Sequence, residues 1–287
     1  MKRRLFLVML IGLFPCIVFA GHLYAAERTY NVLFIQSYNH RTPWNDRLTE
    51  GVRDGLSRGG IKAKVTTGYL DADYWTFASE CVIMRRICER ARQKNTDIII
   101  TSSDEAFYTL MHCGDSLPYK LPVVISGIKY PNEKLISKLP NVCGYTSKID
   151  FVHLLENARR VFPNRTEVIC VSDSSLLGLK GVAELERIWP NFQELHPEYK
   201  MKVMNVQSQA PNPVISSICY DYNAYNRIVI APKWTPFLSF IGKNSKAPVF
   251  AGQSLALTNG VFCVHDMEPY EGANAAGKCA AQVLQGA

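Results

Sequence analysis

Apolar residues in this chain gather into runs of two kinds. Short continuous runs rich in β-branched residues fall at 31–37, 64–70, 97–102, 122–127, 167–172, 202–207, 227–231, 248–251 and 260–264. Runs of that length predict buried strands. Between them, apolar positions recur at helical spacing. Leu48, Val52 and Leu56 share one face of a helix predicted over 44–58. Phe77, Cys81, Met84 and Cys88 do the same over 75–94. Further helices are predicted over 104–117, 132–139, 151–162, 176–195 (disturbed by Pro190), 213–222, 237–243 and 270–284, the last rich in alanine. Ser103-Asp104 supplies N-cap chemistry for the 104–117 helix. Strictly alternating strands and helices require parallel sheets covered on both faces. The alternation runs through two successive sets, which predicts an α/β chain of two Rossmann-like lobes without an internal sequence repeat.

Composition narrows the class. With 287 residues, 47% hydrophobic and 20% charged, the chain is neither disordered nor fibrous. It carries one long apolar run, which excludes a multi-span membrane protein. That run, Leu5 to Ala20, follows Lys2-Arg3-Arg4 and precedes the small pair Ala25-Ala26. This order predicts an export signal over 1–26, cleaved after Ala20 or near Ala25-Ala26. The alternatives are a retained N-terminal anchor and a poorly matching lipoprotein box at Leu13-Phe14-Pro15-Cys16. In every version the remainder is periplasmic or otherwise extracytoplasmic. Outside Lys2, Arg3 and Arg4, 29 basic residues face 25 acidic ones with no basic block, so nucleic acid is a poor partner.

Eight cysteines follow Cys16. Export permits disulfides, yet Cys143, Cys170 and Cys263 sit in apolar, strand-like runs, and most of the thiols are expected to be free and buried. No C-x-x-C occurs, and the histidines are never three to five residues apart, so neither a metal nor another cofactor is indicated.

In open parallel sheets, ligands meet the carboxyl ends of the strands. Those ends are polar and aromatic here. Ser37-Tyr38 and Pro43-Trp44 follow the first strand, Ser102-Ser103-Asp104 the third, and Ser126-Gly127 closes the fourth. In the second set, Asp173-Ser174-Ser175, Lys233-Trp234 and Gly252-Gln253 occupy the matching places. Hydroxyls and amides at helix starts suit a carboxylate or another anion, and Tyr38, Trp44 and Trp234 offer faces for stacking. The bland alternative is that the serines and aspartates only cap helices.

Five runs carry a resemblance: V-L-F-I-Q-S-Y-N-x-x-x-P-W-N-D-x-x-x-x-G-V-R-D-G-L (32–56), D-I-I-I-T-S-S-D-E-A-F (97–107), P-V-V-I-S-G-I (122–128), N-V-C-G-Y (141–145) and V-S-D-S-S-L-L-G (171–178). Their order and spacing over residues 30–286 resemble the type I periplasmic-binding-fold family: ABC-transporter substrate-binding proteins and the related sensor regions of membrane histidine kinases. The S-Y-x-x-x-x-P-W-x-D form is closer to the sensor branch. The resemblance implies one lobe from 30–145 plus about 255–287, a second from 146–254, and a small ligand (amino-acid-like, anionic or sugar-like) held between them. Ser37, Tyr38, Trp44, Ser102, Ser103, Asp104 and Gly127 match the first lobe's lining; Asp173, Ser174, Ser175, Lys233, Trp234 and Gln253 match the second's. It also implies a membrane kinase or permease as partner, sensory input being the main expectation and transporter delivery the alternative. Family members continue past the alanine-rich helix into another strand and helix. The chain is therefore expected to be a fragment or to lack the final strand.

Enzyme motifs fail on inspection. Gly272 to Lys278 matches most of a P-loop, but Cys279 stands where Ser or Thr would hold magnesium. Ser126-Gly-Ile-Lys129 matches S-x-x-K but leaves a strand instead of starting a helix. A binding module is expected, with a cleft hydrolase as the more distant alternative.

Overall fold

The computed structural model describes residues 28–40, 43–72, 77–206, 225–232, 236–252, 260–264 and 268–286. The first half alternates Tyr30–Gln36 (β1), Pro43–Arg58 (α1), Ala63–Tyr69 (β2), Phe77–Gln93 (α2), Ile98–Ser102 (β3), Ser103–Cys113 (α3), Leu117–Lys120 (α4), Val123–Ile128 (β4), Glu133–Ile136 (α5) and Val142–Thr146 (β5). The second half continues with Phe151–Val161 (α6), Glu167–Ser172 (β6), Leu176–Leu195 (α7), Lys200–Asn205 (β7), Arg227–Ala231 (β8), Pro236–Asn244 (α8), Val249–Ala251 (β9), Cys263–Val264 (β10) and Pro269–Leu284 (α9). The helix expected over 213–222 lies outside the described residues.

All strand pairs are parallel, in two sheets ordered β2-β1-β3-β4-β5 and β10-β9-β8-β6-β7. Strand for strand, the second order repeats the first. The two-residue period of a strand divides each apolar run between two cores. Leu33, Ile35, Ile99 and Ile125 meet Met84 of α2 and Phe107 and Leu110 of α3. Val32, Phe34, Ile100 and Val124 meet Leu48, Val52 and Leu56 of α1 and Ala273, Ala276 and Ala280 of α9. In the second sheet, Val168, Cys170, Ile228 and Ile230 face α6 and α7, while Ile169, Val171 and Val229 face Leu238 and Ile241 of α8. Helix α7 runs through Pro190 without a break, with Trp189 and Phe192 buried on either side of it.

The alanine-rich α9 returns from the second sheet to pack on α1. Small residues permit a close approach: a Cβ on Gly55 would stand 2.2 Å from the Asn274 carbonyl oxygen, and one on Gly277 2.5 Å from that of Val52. Strand β10 pairs with β9. The chain therefore leaves the second sheet after residue 264, later than the crossing expected near 255.

The expectation of mostly free thiols holds, with one pair as the exception. Helices α2 and α3 lie side by side and bring Cys81 and Cys113 to a Cα separation of 5.3 Å, where they form a disulfide. Cys88, Cys143, Cys170 and Cys279 are free thiols. Burial pushes the Cys170 thiol up to about 12, as expected of an inert core cysteine.

Candidate functional site

The turn after β1 is tied to β3 from within. Ser37 is buried; its Oγ donates to the Ser102 carbonyl at 2.8 Å and accepts from the Ala106 amide at 2.9 Å. That second bond satisfies one of the free amides in the first turn of α3, whose N-cap residue, Ser102, makes no side-chain cap bond of its own. Ser103 enters the helix at φ 69°, a conformation that costs a non-glycine residue roughly 1–3 kcal/mol. Upstream, Gln36 Nε2 donates to Thr49 Oγ1 at 2.8 Å, and Asn45 Nδ2 donates to the Asn39 carbonyl. Trp44 is half-buried against the α1–α9 core, its indole nitrogen buried without a hydrogen-bond partner among the described residues.

Asp104 is fully buried and holds the chain leaving β4. Its Oδ2 accepts from the Lys129 amide at 2.8 Å and its Oδ1 from the Tyr130 amide at 2.9 Å. Burial raises its carboxyl above the ordinary range, with the two amides opposing. One helical turn later, Tyr108 Oη donates to the Tyr130 carbonyl at 2.8 Å and accepts from the Asn132 amide at 2.7 Å. The i, i+4 spacing puts both side chains on one face of α3, so residues 129–132 are latched along it.

This latched segment reaches the second sheet. Lys129 is buried, and its Nζ donates to the Gly252 carbonyl just beyond β9 at 3.4 Å. Tyr130 joins the core of the second sheet, and a Cβ added to Gly181 of α7 would meet its Oη at 3.1 Å and Pro232, just past β8, at 2.2 Å. The carboxyl end of β4 thus abuts the carboxyl ends of β8 and β9. Beside Lys129, Gly127 has φ 69°, and a Cβ there would meet nothing within 4 Å.

In the second half, Asp173, Ser174 and Ser175 form the turn into α7. Asp173 Oδ1 accepts from the Ser175 amide at 3.0 Å and from the Ser175 hydroxyl. Ser175 Oγ caps the helix by accepting from the Gly178 amide at 3.2 Å, and Ser174 Oγ accepts from Asn205 Nδ2 at 3.3 Å.

The expected site residues therefore form two groups: Ser37, Ser102, Ser103, Asp104 and Gly127, with Tyr38 and Trp44 beside them, and Asp173, Ser174 and Ser175. Lys233, Trp234 and Gln253 lie outside the described residues. Sequence reasoning missed the residues that join the halves, Tyr108, Lys129 and Tyr130. Lys129 also completes the S-x-x-K match, but its Nζ is engaged by the Gly252 carbonyl.

A cavity of ≈ 1190 Å³ opens between the halves, lined by α3 and α7. Asp104, Tyr108 and His112 of α3 face Leu176, Lys180 and Arg187 of α7 across it. Of the expected site residues among the described ones, it touches Asp104 alone. Among the described residues there is no cluster of three or more metal-ligating side chains, and no helix long and apolar enough to cross a membrane.

Two parallel sheets of one strand order, joined at facing carboxyl ends, decide the architecture. The fold is that of type I periplasmic binding proteins. The chain is similar to a conserved domain protein from Vibrio cholerae O1 biovar El Tor, at 16% identity and a TM-score of 0.70, covering 91% of this chain and 86% of that one. It matches an ABC domain in complex with L-Trp from Streptococcus pneumonia at 17% identity and a TM-score of 0.70, with the same coverage. A leucine-binding protein from Thermotoga maritima aligns at 14% identity and a TM-score of 0.59, over 89% of this chain and 81% of that one. No family model matches the chain, and no curated protein matches it.

Proposed function

We propose that this chain is an extracytoplasmic small-molecule-binding protein that closes two lobes on its ligand and delivers it to a membrane permease. What supports this reading is the contact of strand ends through Lys129 and Tyr130, which brings the carboxyl end of β4 against those of β8 and β9. Transporter delivery is better supported than sensory input to a kinase, because the solved neighbours with a stated role are substrate-binding proteins. Those neighbours are binding proteins, which favours binding over turnover.

The ligand class we favour is amino-acid-like. The turns into α3 and α7 present helix N-termini, which carry about half a positive charge and suit a carboxylate. Tyr38 and Trp44 follow β1 as candidates for apolar contact, and the sequence offers Lys233 and Trp234 as further candidates. Neighbours solved with L-Trp and with isoleucine agree with this class. The test is calorimetry of the purified chain against the L-amino acids, followed by Ser103→Ala and Trp234→Ala on the best binder. Each loss should cost about 1–3 kcal/mol of affinity. Two folded variants that bind as tightly as the parent would remove the site from these strand ends.

A further inference from the structure

Two free thiols that the strand-end site does not use face each other at one edge of the first sheet. Cys143 lies on the edge strand β5 and Cys279 on α9. Their sulfurs stand 3.4 Å apart, although 136 residues separate them in the chain. Both are half-buried beside the α1–α9 core, so solvent reaches them, whereas Cys88 and Cys170 are buried.

The backbone beside each cysteine is held. Next to Cys143, Gly144 has φ 128° and passes so close to β4 that a Cβ there would stand 2.1 Å from the Ile125 carbonyl oxygen. Two residues before Cys279, Gly277 packs on α1 with a Cβ position 2.5 Å from the Val52 carbonyl oxygen. These glycines fix where each cysteine sits, and the fold alone brings the pair together. A disulfide needs about 2.05 Å between sulfurs. Each Sγ turns about its own Cα–Cβ bond, so side-chain rotation with a small backbone adjustment closes the gap.

We propose that Cys143 and Cys279 form a second disulfide, which staples the C-terminal helix to the edge strand of the first sheet. The oxidant is another disulfide. The Cys279 thiolate attacks one of its sulfurs, forming a mixed disulfide and releasing the other sulfur as a thiolate. The Cys143 thiolate then attacks Cys279 Sγ and displaces the remaining half. Two electrons pass to the oxidant, which ends as two thiols carrying the two protons that the cysteines give up. Cys143 reacts second, because burial, and then its bond to the Cys279 thiol, push its thiol up to about 12. In the cell, the oxidising surroundings come from the extracytoplasmic location proposed above. With a supplied oxidant the reaction depends neither on that location nor on any ligand, so the two readings fail separately.

The experiment exposes the purified chain to oxidised glutathione, blocks the remaining thiols with N-ethylmaleimide and maps non-reduced tryptic peptides by mass spectrometry. A peptide pair joining Cys143 to Cys279 is expected, present on isolation or formed on oxidation. Cys88 and Cys170 should be blocked only after denaturation. The linked parent should melt about 5–10 °C above Cys143→Ser and above Cys279→Ser, since the bond closes a long loop. The double variant should melt where the single ones do, because one bond is lost in all three. The peptide map needs no variant and decides the matter even where a variant does not fold. Both thiols blocked after oxidation, a glutathione adduct that persists on Cys279, a link from either cysteine to a different partner, or additive drops in the double variant would overturn the proposal.

Discussion

In the first sheet, residues at the strand ends are fixed by bonds to distant parts of the chain. Ser37 is bonded to partners 65 and 69 residues away, and Asp104 to amides 25 and 26 residues away. In the second sheet, the capping bonds stay within the turn, where Asp173 bonds Ser175 two residues on and Ser175 bonds Gly178 three residues on, and Asn205, 31 residues away, adds a longer bond to Ser174 Oγ at 3.3 Å. The strand order is shared, so the difference does not come from topology. Long-range bonds set the first sheet's strand ends relative to one another and break only when that half opens. A local turn moves intact with the helix it caps. The first half is thus built as a frame, and the turn into α7 as a part that can travel with its helix during closure.

The disulfide offers the strongest way to break this contrast. It bridges α2 and α3 across 32 residues, within the first half. Cys81→Ala with Cys113→Ala should cost about 3–4 kcal/mol, read as a drop in denaturation midpoint that dithiothreitol reproduces in the parent. A loss confined to global stability, with ligand affinity kept, fits a frame. Equal stability in parent and variant would remove the disulfide from that role.

The next test concerns the junction of α1 and α9. Gly55→Ala would set a methyl against the Asn274 carbonyl oxygen at 2.2 Å, backbone that cannot rotate away. Alanine gains up to about 1 kcal/mol in helix propensity, yet the net change should be a loss of about 2–3 kcal/mol from overpacking. Urea unfolding checks the sign: a stabilised variant would mean that the helices part without cost.

Much of the frame is legible in the sequence, and the reason is periodicity. The runs at 167–172 and 227–231 match β6 and β8 residue for residue, because both strands are buried on both faces and read as unbroken apolar stretches. β5 is not legible from the apolar pattern. It is an edge strand with Gly144 at φ 128° and three exposed residues, so its pattern is weak. The strand ends could be named, since Ser37, Asp104 and Ser175 follow strands. Their bonding could not, because a serine that bolts two strands together and one that caps its own helix look alike in sequence. The latch of Asp104 and Tyr108 onto residues 129–132, and the disulfide, likewise join segments that only the fold brings together.

Ser37→Ala bears directly on the contrast. It leaves the buried Ala106 amide without its acceptor and removes the donor to the Ser102 carbonyl. A buried, unsatisfied group costs about 1–3 kcal/mol, so a loss near 2 kcal/mol is expected. Hydrogen exchange should report it at both β3 and α3, because one hydroxyl serves both. Faster exchange in α3 alone would show that the bond to β3 carries little.

The smallest effect is expected from Ser175→Ala. The hydroxyl caps α7 and answers to Asp173, both within one half-buried turn. Losing an N-cap costs about 1 kcal/mol, and water can reach this turn to replace part of the bond. The change should speed exchange in the first turn of α7 and leave the rest of the second half untouched. The comparison with Ser37→Ala is the sharper measurement, since both substitutions remove one serine hydroxyl after a strand. If frame and travelling turn differ as argued, Ser37→Ala destabilises by about twice as much and its effect spreads across the sheet. Equal losses, or exchange that spreads from Ser175 into β6 and β8, would mean that the second half is held as rigidly as the first, and that closure is not accommodated at the turn into α7.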